Sequence, residues 1–293
     1  MKIKICSLCD IGKERTNNED FVACCSDLSV QNWDSVDRGG NYIKQGPLGA
    51  MAIVADGMGG ANAGDKASSI AVESIKDYLR TNDFTHFDNS EDSVFSLFRN
   101  LVAKSNHDIM DYVIHHPDAI GLGTTIVLLW VYGHIAYFAW CGDSRCYCFN
   151  PRYGLKQLTK DHSLVQEMVD KGEISLKQAF DHRDNNVITR CVGDVDVSSE
   201  IECGSCKIED GDIFLLCSDG LCGYCKDRQI QRILYKYYDR LEVCADQLLQ
   251  CALDTGGYDN ISISLLSTIP DKEMLPEVGI KTKYKRCLYR LFG

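Results

Sequence analysis

No apolar run in this 293-residue chain approaches the ~20 residues that a membrane-spanning helix needs. Its first residues, Met1-Lys2-Ile3-Lys4-Ile5-Cys6, are basic but lead into no apolar core with a small-residue cleavage site. A secretory signal is therefore not expected, and a cytoplasmic location is. Basic residues are in deficit: 31 Lys and Arg face 42 Asp and Glu, and the net charge of −11 argues against nucleic acid as a partner. There is no internal repeat and no low-complexity segment. Nucleotide-binding loops are missing too. The glycine-rich "DGMGGANAG" (56–64) has neither the Gly-Lys-Ser/Thr ending of a P-loop nor the G-x-G-x-x-G spacing of a dinucleotide site. Ser, His and Asp occur, but nothing supports a hydrolase triad, and His162 within "TKDHS" reads as structural.

What is present is a chain that is 45% apolar, enough to bury the core of one large domain or at most two. Strand-like stretches fall at residues 2–6, 21–25, 50–55, 124–131, 135–141, 145–149, 155–158, 199–207, 213–217 and 261–266. Turn residues at Gly133, 151–154 and Asp210-Gly211 join several of them as hairpins. Helical periodicity marks 65–80, 92–114, 227–238 and 241–253. Helix pairs between runs of strands predict an α+β fold of two mostly antiparallel sheets with helices outside. Residues 34–46 read as a surface loop, and 163–188 as a charged excursion from the core.

Sixteen cysteines without an export signal are expected to be reduced thiols, many of them small apolar residues on strands, such as Cys141, Cys146, Cys148 and Cys217. Cys203, Cys206, Cys222 and Cys225 form a C-x2-C-x15-C-x2-C pattern, a zinc-like spacing. Residues three apart on a strand point to opposite faces, which argues against a shared metal for Cys203 and Cys206. "CGYC" (222–225) has redox spacing but follows "SDGL" and no thioredoxin-like start.

The acids carry more information. In "AMAIVADGMGG" (50–60) an aspartate ends a buried-strand pattern, where a carboxylate is costly unless something binds it. Asp56-Gly57 taken alone reads as a turn. Yet Glu19-Asp20, Asp143, Asp219 and Asp259 also stand at strand ends, mostly beside glycine. Gathered at one mouth of the sheets, such oxygen ligands select Mg²⁺ or Mn²⁺, and two ions sharing a carboxylate can activate a water toward phosphorus.

With "RTNNED" (15–20), "ADGMGG" (55–60), "CGDSR" (141–145), "LTKDHS" (158–163), "ITRCVG" (188–193), "LLCSDGL" (215–221) and "GGYDNIS" (256–262) in this order, residues 3–268 resemble the metal-dependent PPM, or type 2C, protein serine/threonine phosphatases. The bacterial branch is the most similar. The resemblance implies a four-layer α-β-β-α sandwich over 1–268 with a flap at 163–188, and a linker and basic tail over 269–293. It also implies hydrolysis of phosphoserine and phosphothreonine in proteins, with two tightly bound Mn²⁺ or Mg²⁺ ions and a weaker third. Position by position, Asp56 would bridge two ions. The Gly57 carbonyl and Glu19 would serve one of them, and Asp219 and Asp259 the other. Asp20 would lie close by, Asp143 with Asp219 would hold the third ion, and Arg15 would grip the phosphate, for which its planar fork suits a dianion. A surface salt bridge is the alternative for Arg15, and its place in the motif favours the phosphate role. Met58 departs from relatives that carry histidine there, since methionine has no proton to donate. A phosphatase dedicated to one regulatory partner, or an inactive phosphoprotein-binding homologue, are the alternatives. A monomer is expected. The tail from Lys281 holds five basic residues and no acid, and suits an anionic membrane surface or an acidic partner.

Overall fold

The computed structural model describes residues 1–59, 64–82, 84, 87–88, 90–193 and 200–269. The basic tail and the start of the strand expected at residue 199 lie outside them. The strands, in chain order, are β1 (Lys2–Asp10), β2 (Asp20–Cys25), β3 (Ile43–Lys44), β4 (Ala50–Met58), β5 (Gly123–Thr124), β6 (Ile126–Tyr132), β7 (Ile135–Cys141), β8 (Arg145–Asn150), β9 (Gly154–Gln157), β10 (Glu202–Lys207), β11 (Ile213–Cys217) and β12 (Ile261–Ile269). The α-helices are α1 (Gly64–Thr81), α2 (Glu91–His115), α3 (Leu164–Asp170), α4 (Leu176–Phe180), α5 (Asp219–Cys222), α6 (Asp227–Tyr237) and α7 (Leu241–Asp254). No helix among the described residues is long and apolar enough to cross a membrane.

Two antiparallel sheets result, ordered β3-β1-β12-β11-β8-β9 and β10-β7-β6-β4-β2. The central strands are buried on both faces and alternate between two cores; β4, β6 and β11 are mainly apolar, while β12 also buries Ser262, Ser264, Ser267 and Thr268. On β11, Phe214 and Leu216 point into the layer between the sheets, while Ile213, Leu215 and Cys217 face α6 and α7. On β4, Ala52 and Val54 enter the inter-sheet layer, and Met51 and Ile53 face α1 and α2. Ala67, Ala71, Ile75 and Leu79 recur every fourth residue along α1 and close that outer core. The arrangement is the α-β-β-α sandwich expected.

Three local expectations are corrected. The strand expected over 50–55 runs on to Met58, with Asp56 opposite Asp20 and Gly57 opposite Thr124, so the Asp-Gly pair lies within β4. The strand expected over 124–131 is interrupted at Thr125. Residues 34–46 are more than a surface loop. Asp34 bonds Cys24 on the edge strand β2, Asp37 bonds Ser7 on β1, and β3 pairs with Lys2 and Ile3, so one segment covers an edge of both sheets. Covering edges in this way blocks strand addition by another chain.

The cysteines separate by layer. Cys203 packs on the α1/α2 core, Cys206 on the inter-sheet core, and Cys222 and Cys225 within the α6/α7 core. Cys222 and Cys225 do not pair with each other either. Cys222 lies against Cys217, and Cys225 Sγ is 3.0 Å from Cys251 Sγ. A hydrogen bond with Cys217 and burial raise the Cys222 thiol, and burial raises Cys225, the opposite of a reactive thiolate.

Because Leu216 is fully enclosed between the sheets, Leu216→Ala is expected to cost roughly 2–5 kcal/mol in a urea titration, with the slope unchanged. A loss below about 1 kcal/mol would contradict this layer assignment.

Candidate metal centre

Each acid reaches the site on a different element. Asp56 rides the end of β4, its backbone carbonyl accepting from the Thr125 amide at 2.8 Å and the Thr124 hydroxyl at 2.9 Å. Asp20 starts β2 opposite it, Asp219 starts α5, and Asp259 precedes β12. Asp143 follows Gly142, whose φ of +108° only glycine adopts freely. Gly57 is equally constrained, since a Cβ there would fall 2.0 Å from the Gly64 carbonyl oxygen. That close approach brings the start of α1 against β4, and Glu19 accepts a hydrogen bond from the Gly64 amide.

The structure brings all eight candidate residues into one neighbourhood. Burial, and then the charges of Asp20, Asp219, Asp143 and Asp259, push the Asp56 carboxyl well above the usual range. Burial raises Asp143 likewise, with Asp219 and Asp161 adding to it. Asp219 is pushed up to about 6 by burial and Asp259, against the lowering effect of a hydrogen bond with Asp56. Asp20 reaches about 7 through burial, although Ser218 Oγ donates to its Oδ2 at 2.7 Å. Arg15 is half-exposed and its Nη2 lies 2.9 Å from Asp259 Oδ2, so the salt bridge is formed, and formed inside the acidic cluster.

This donor set fits a hard divalent cation. Asp20 Oδ1 and Asp219 Oδ1 are buried without a hydrogen-bond partner, as is Asp65 Oδ1 nearby on α1. Oxygens left in that state are costly unless an ion or water meets them. Among the described residues no three Asp, Glu, His or Cys side chains stand in an arrangement that would by itself hold a metal ion. Beside Asp143 and Asp219 a cavity of about 60 Å³ is lined also by Arg145, Asp161, Asn185, Asn186 and Tyr224.

Residues 35–255 match the family model for protein phosphatase 2C. The serine/threonine phosphatase stp of Listeria monocytogenes is 35% identical over 216 residues, 74% of this chain and 83% of the relative. The solved structure of the serine/threonine phosphatase Stp1 from Staphylococcus aureus superposes with a TM-score of 0.74 at 29% identity, covering 91% of this chain and 95% of Stp1. The catalytic domain of the phosphatase PstP, solved in complex with two manganese ions, gives a TM-score of 0.72 at 26% identity, covering 92% of this chain and 99% of that one. The chain belongs to the protein phosphatase 2C family. It is a serine/threonine phosphatase of that type, a hydrolase.

Several residues that organise the site of this phosphatase escaped the sequence reading. Asn260 is buried and clamps the loop that carries Arg15 and Glu19. Its Nδ2 donates to the carbonyls of Ile11 at 2.9 Å and Asn17 at 3.0 Å, and its Oδ1 accepts from the Glu19 amide at 2.8 Å. Asp161 holds Arg145 through contacts of 2.6 to 3.1 Å, which fixes one cation beneath Asp143. His162 is structural, as expected. Its Nδ1 faces the Gly142 amide at 3.1 Å, its own amide donates to the Gly142 carbonyl at 3.0 Å, and its ring stacks on Trp140, so it braces the turn before Asp143. The excursion over 163–188 is closed at its base by the Ser163–Ile188 bridge and reaches the cavity with Asn185 and Asn186.

The raised acids set a pH dependence for the chelator-treated protein. Asp20 and Asp219 titrate near 7 and 6 when folded, against ~3.9 unfolded. Between those values the folded chain binds more protons, so this stability is present below about pH 4 and is lost as pH rises through 6 to 7. The melting temperature in EDTA is expected to fall from pH 6 to pH 8, with a shallower fall in Asp20→Asn. An increase over that range would refute the electrostatic picture.

Proposed function

We propose that this phosphatase hydrolyses phosphoserine and phosphothreonine in proteins with Mn²⁺ or Mg²⁺ held at the strand ends, and that residues 1–268, with the flap at 163–188, form the catalytic unit. The observation that carries the reading is the pair of buried, unpartnered oxygens on Asp20 and Asp219 inside an all-oxygen acid cluster. The manganese in PstP supports the choice of ion.

In this reading Asp56, the Gly57 carbonyl, Glu19, Asp219 and Asp259 would hold two ions, Asp20 would stay in the surrounding shell with Ser218, and Asp143 with Asp219 would hold a third, weaker one. Bound there, the metal would supply Lewis acidity that lowers the pKa of a water. The remaining work belongs to the chain. Arg15, already paired with Asp259 at the rim, swings its fork to the substrate phosphate and holds it for in-line attack. Met58 offers no proton to the departing alkoxide, so that proton comes from a water in the cavity between Asp143 and Asp219. Asn260 keeps the Arg15–Glu19 loop in register with Asp259.

Purified protein is expected to turn over a phosphothreonine peptide with Mn²⁺ or Mg²⁺ and to lose that activity in EDTA. Asp56→Asn should reduce kcat/KM by at least about 100-fold. Arg15→Ala should act mainly on KM. Turnover that persists in EDTA, or full activity in Asp56→Asn, would overturn the reading.

A further inference from the structure

Two tyrosines stand at the mouth of this site with no role in the scheme above. Tyr224 lines the cavity beside Asp219 and Asp143, two residues beyond the end of α5. Tyr258 immediately precedes Asp259 and is 54% exposed, among the more open large side chains of the described protein. Their rings lie 5.6 Å apart at 42°. Tyr258 is exposed but not loose. It rests on the backbone of Gly256, where an added Cβ would fall 2.1 Å from its Cε2, and Gly256 at φ +130° is the residue that tolerates this approach. The result is a preformed aromatic surface next to the carboxylate that pairs with Arg15.

We infer that Tyr224 and Tyr258 form a ledge that receives a large apolar side chain next to the phosphorylated residue of the substrate. This rests on the phosphate site proposed above. An exposed ring that is already ordered loses little entropy on contact and gains by covering apolar area. Two side-chain cations near the ledge are already engaged: Arg15 with Asp259, and Lys13, whose Cγ lies 3.1 Å from a Cβ built on Gly257, with the Leu253 carbonyl at 2.7 Å. The contact offered to a substrate side chain is therefore the face of the two rings, which suits leucine or phenylalanine.

The test compares phosphothreonine peptides carrying Leu, Ala or Lys at the residues immediately before and after the phosphothreonine, assayed with Mn²⁺. Wild type should favour Leu over Ala by about fourfold or more in kcat/KM at one of the two positions, the effect of burying about one methylene, with the gain in KM. Tyr258→Ala should bring that ratio close to one, and Tyr258→Phe should keep it, because the ring face and not the hydroxyl makes the contact. A flat Leu/Ala ratio in wild type, a preference for Lys, or a ratio unaltered in Tyr258→Ala overturns the ledge alone. No turnover of any peptide removes the phosphatase site and the ledge together.

Discussion

Asp20 and Asp56 face each other across adjacent strands, and like charges in that relation repel. Asp219, Asp143 and Asp259 crowd the same point. A surface of loops would relax such a cluster by spreading it apart. Here the strands carrying Asp20 and Asp56 are pinned in register by two cores, with Val22, Val54 and Leu216 filling the layer between sheets and Ile53 and Ala67 the layer outside. The repulsion therefore stays in the folded state, adds to burial in raising the carboxyls, and accompanies oxygens left unpartnered. A divalent cation is the simplest species that relieves all of this at once.

The chain supplies its own partial relief in a graded way. Ser218 donates to Asp20 and is itself fixed by the Ser262 amide at 2.9 Å. Arg145, held by Asp161, offsets Asp143 from below, and Arg15 offsets Asp259 from the rim. The two arginines differ in what they can do next. Arg145 is enclosed, its Nη1 donating to the Tyr147 hydroxyl, which donates in turn to Asp227 at 3.0 Å, so it stays where it is. Arg15 is half-exposed and free to exchange a carboxylate for a phosphate. In the proposed mechanism that difference assigns Arg145 to shaping the site and Arg15 to meeting substrate.

Much of this could be read from the sequence, because strand-end acids beside glycine have a local signature and the central strands announce themselves as apolar runs. The layer order followed from alternating helix and strand segments. What stayed hidden depends on contacts between residues far apart in the chain. Asn260 follows Asp259 like any turn residue, and nothing local says that its amide holds Ile11 and Asn17. The Arg145–Asp161 pair is invisible for the same reason. Residues 34–46 looked like a loop because their bonds go singly to two different sheets. Asp56-Gly57 looked like a turn because the dipeptide usually is one. The strand continues there because Asp20 and Thr124 supply partners on both sides.

The central claim is that the fold crowds carboxylates in order to hold metal, with Asp56 shared and Asp143 peripheral. Calorimetric titration of Mn²⁺ into chelator-treated protein tests it most directly, run in parallel on wild type, Asp56→Asn and Asp143→Ala. The account predicts two tight ions in wild type, both lost in Asp56→Asn and both retained in Asp143→Ala. Loss of the tight ions in Asp143→Ala, or their survival in Asp56→Asn, would contradict it.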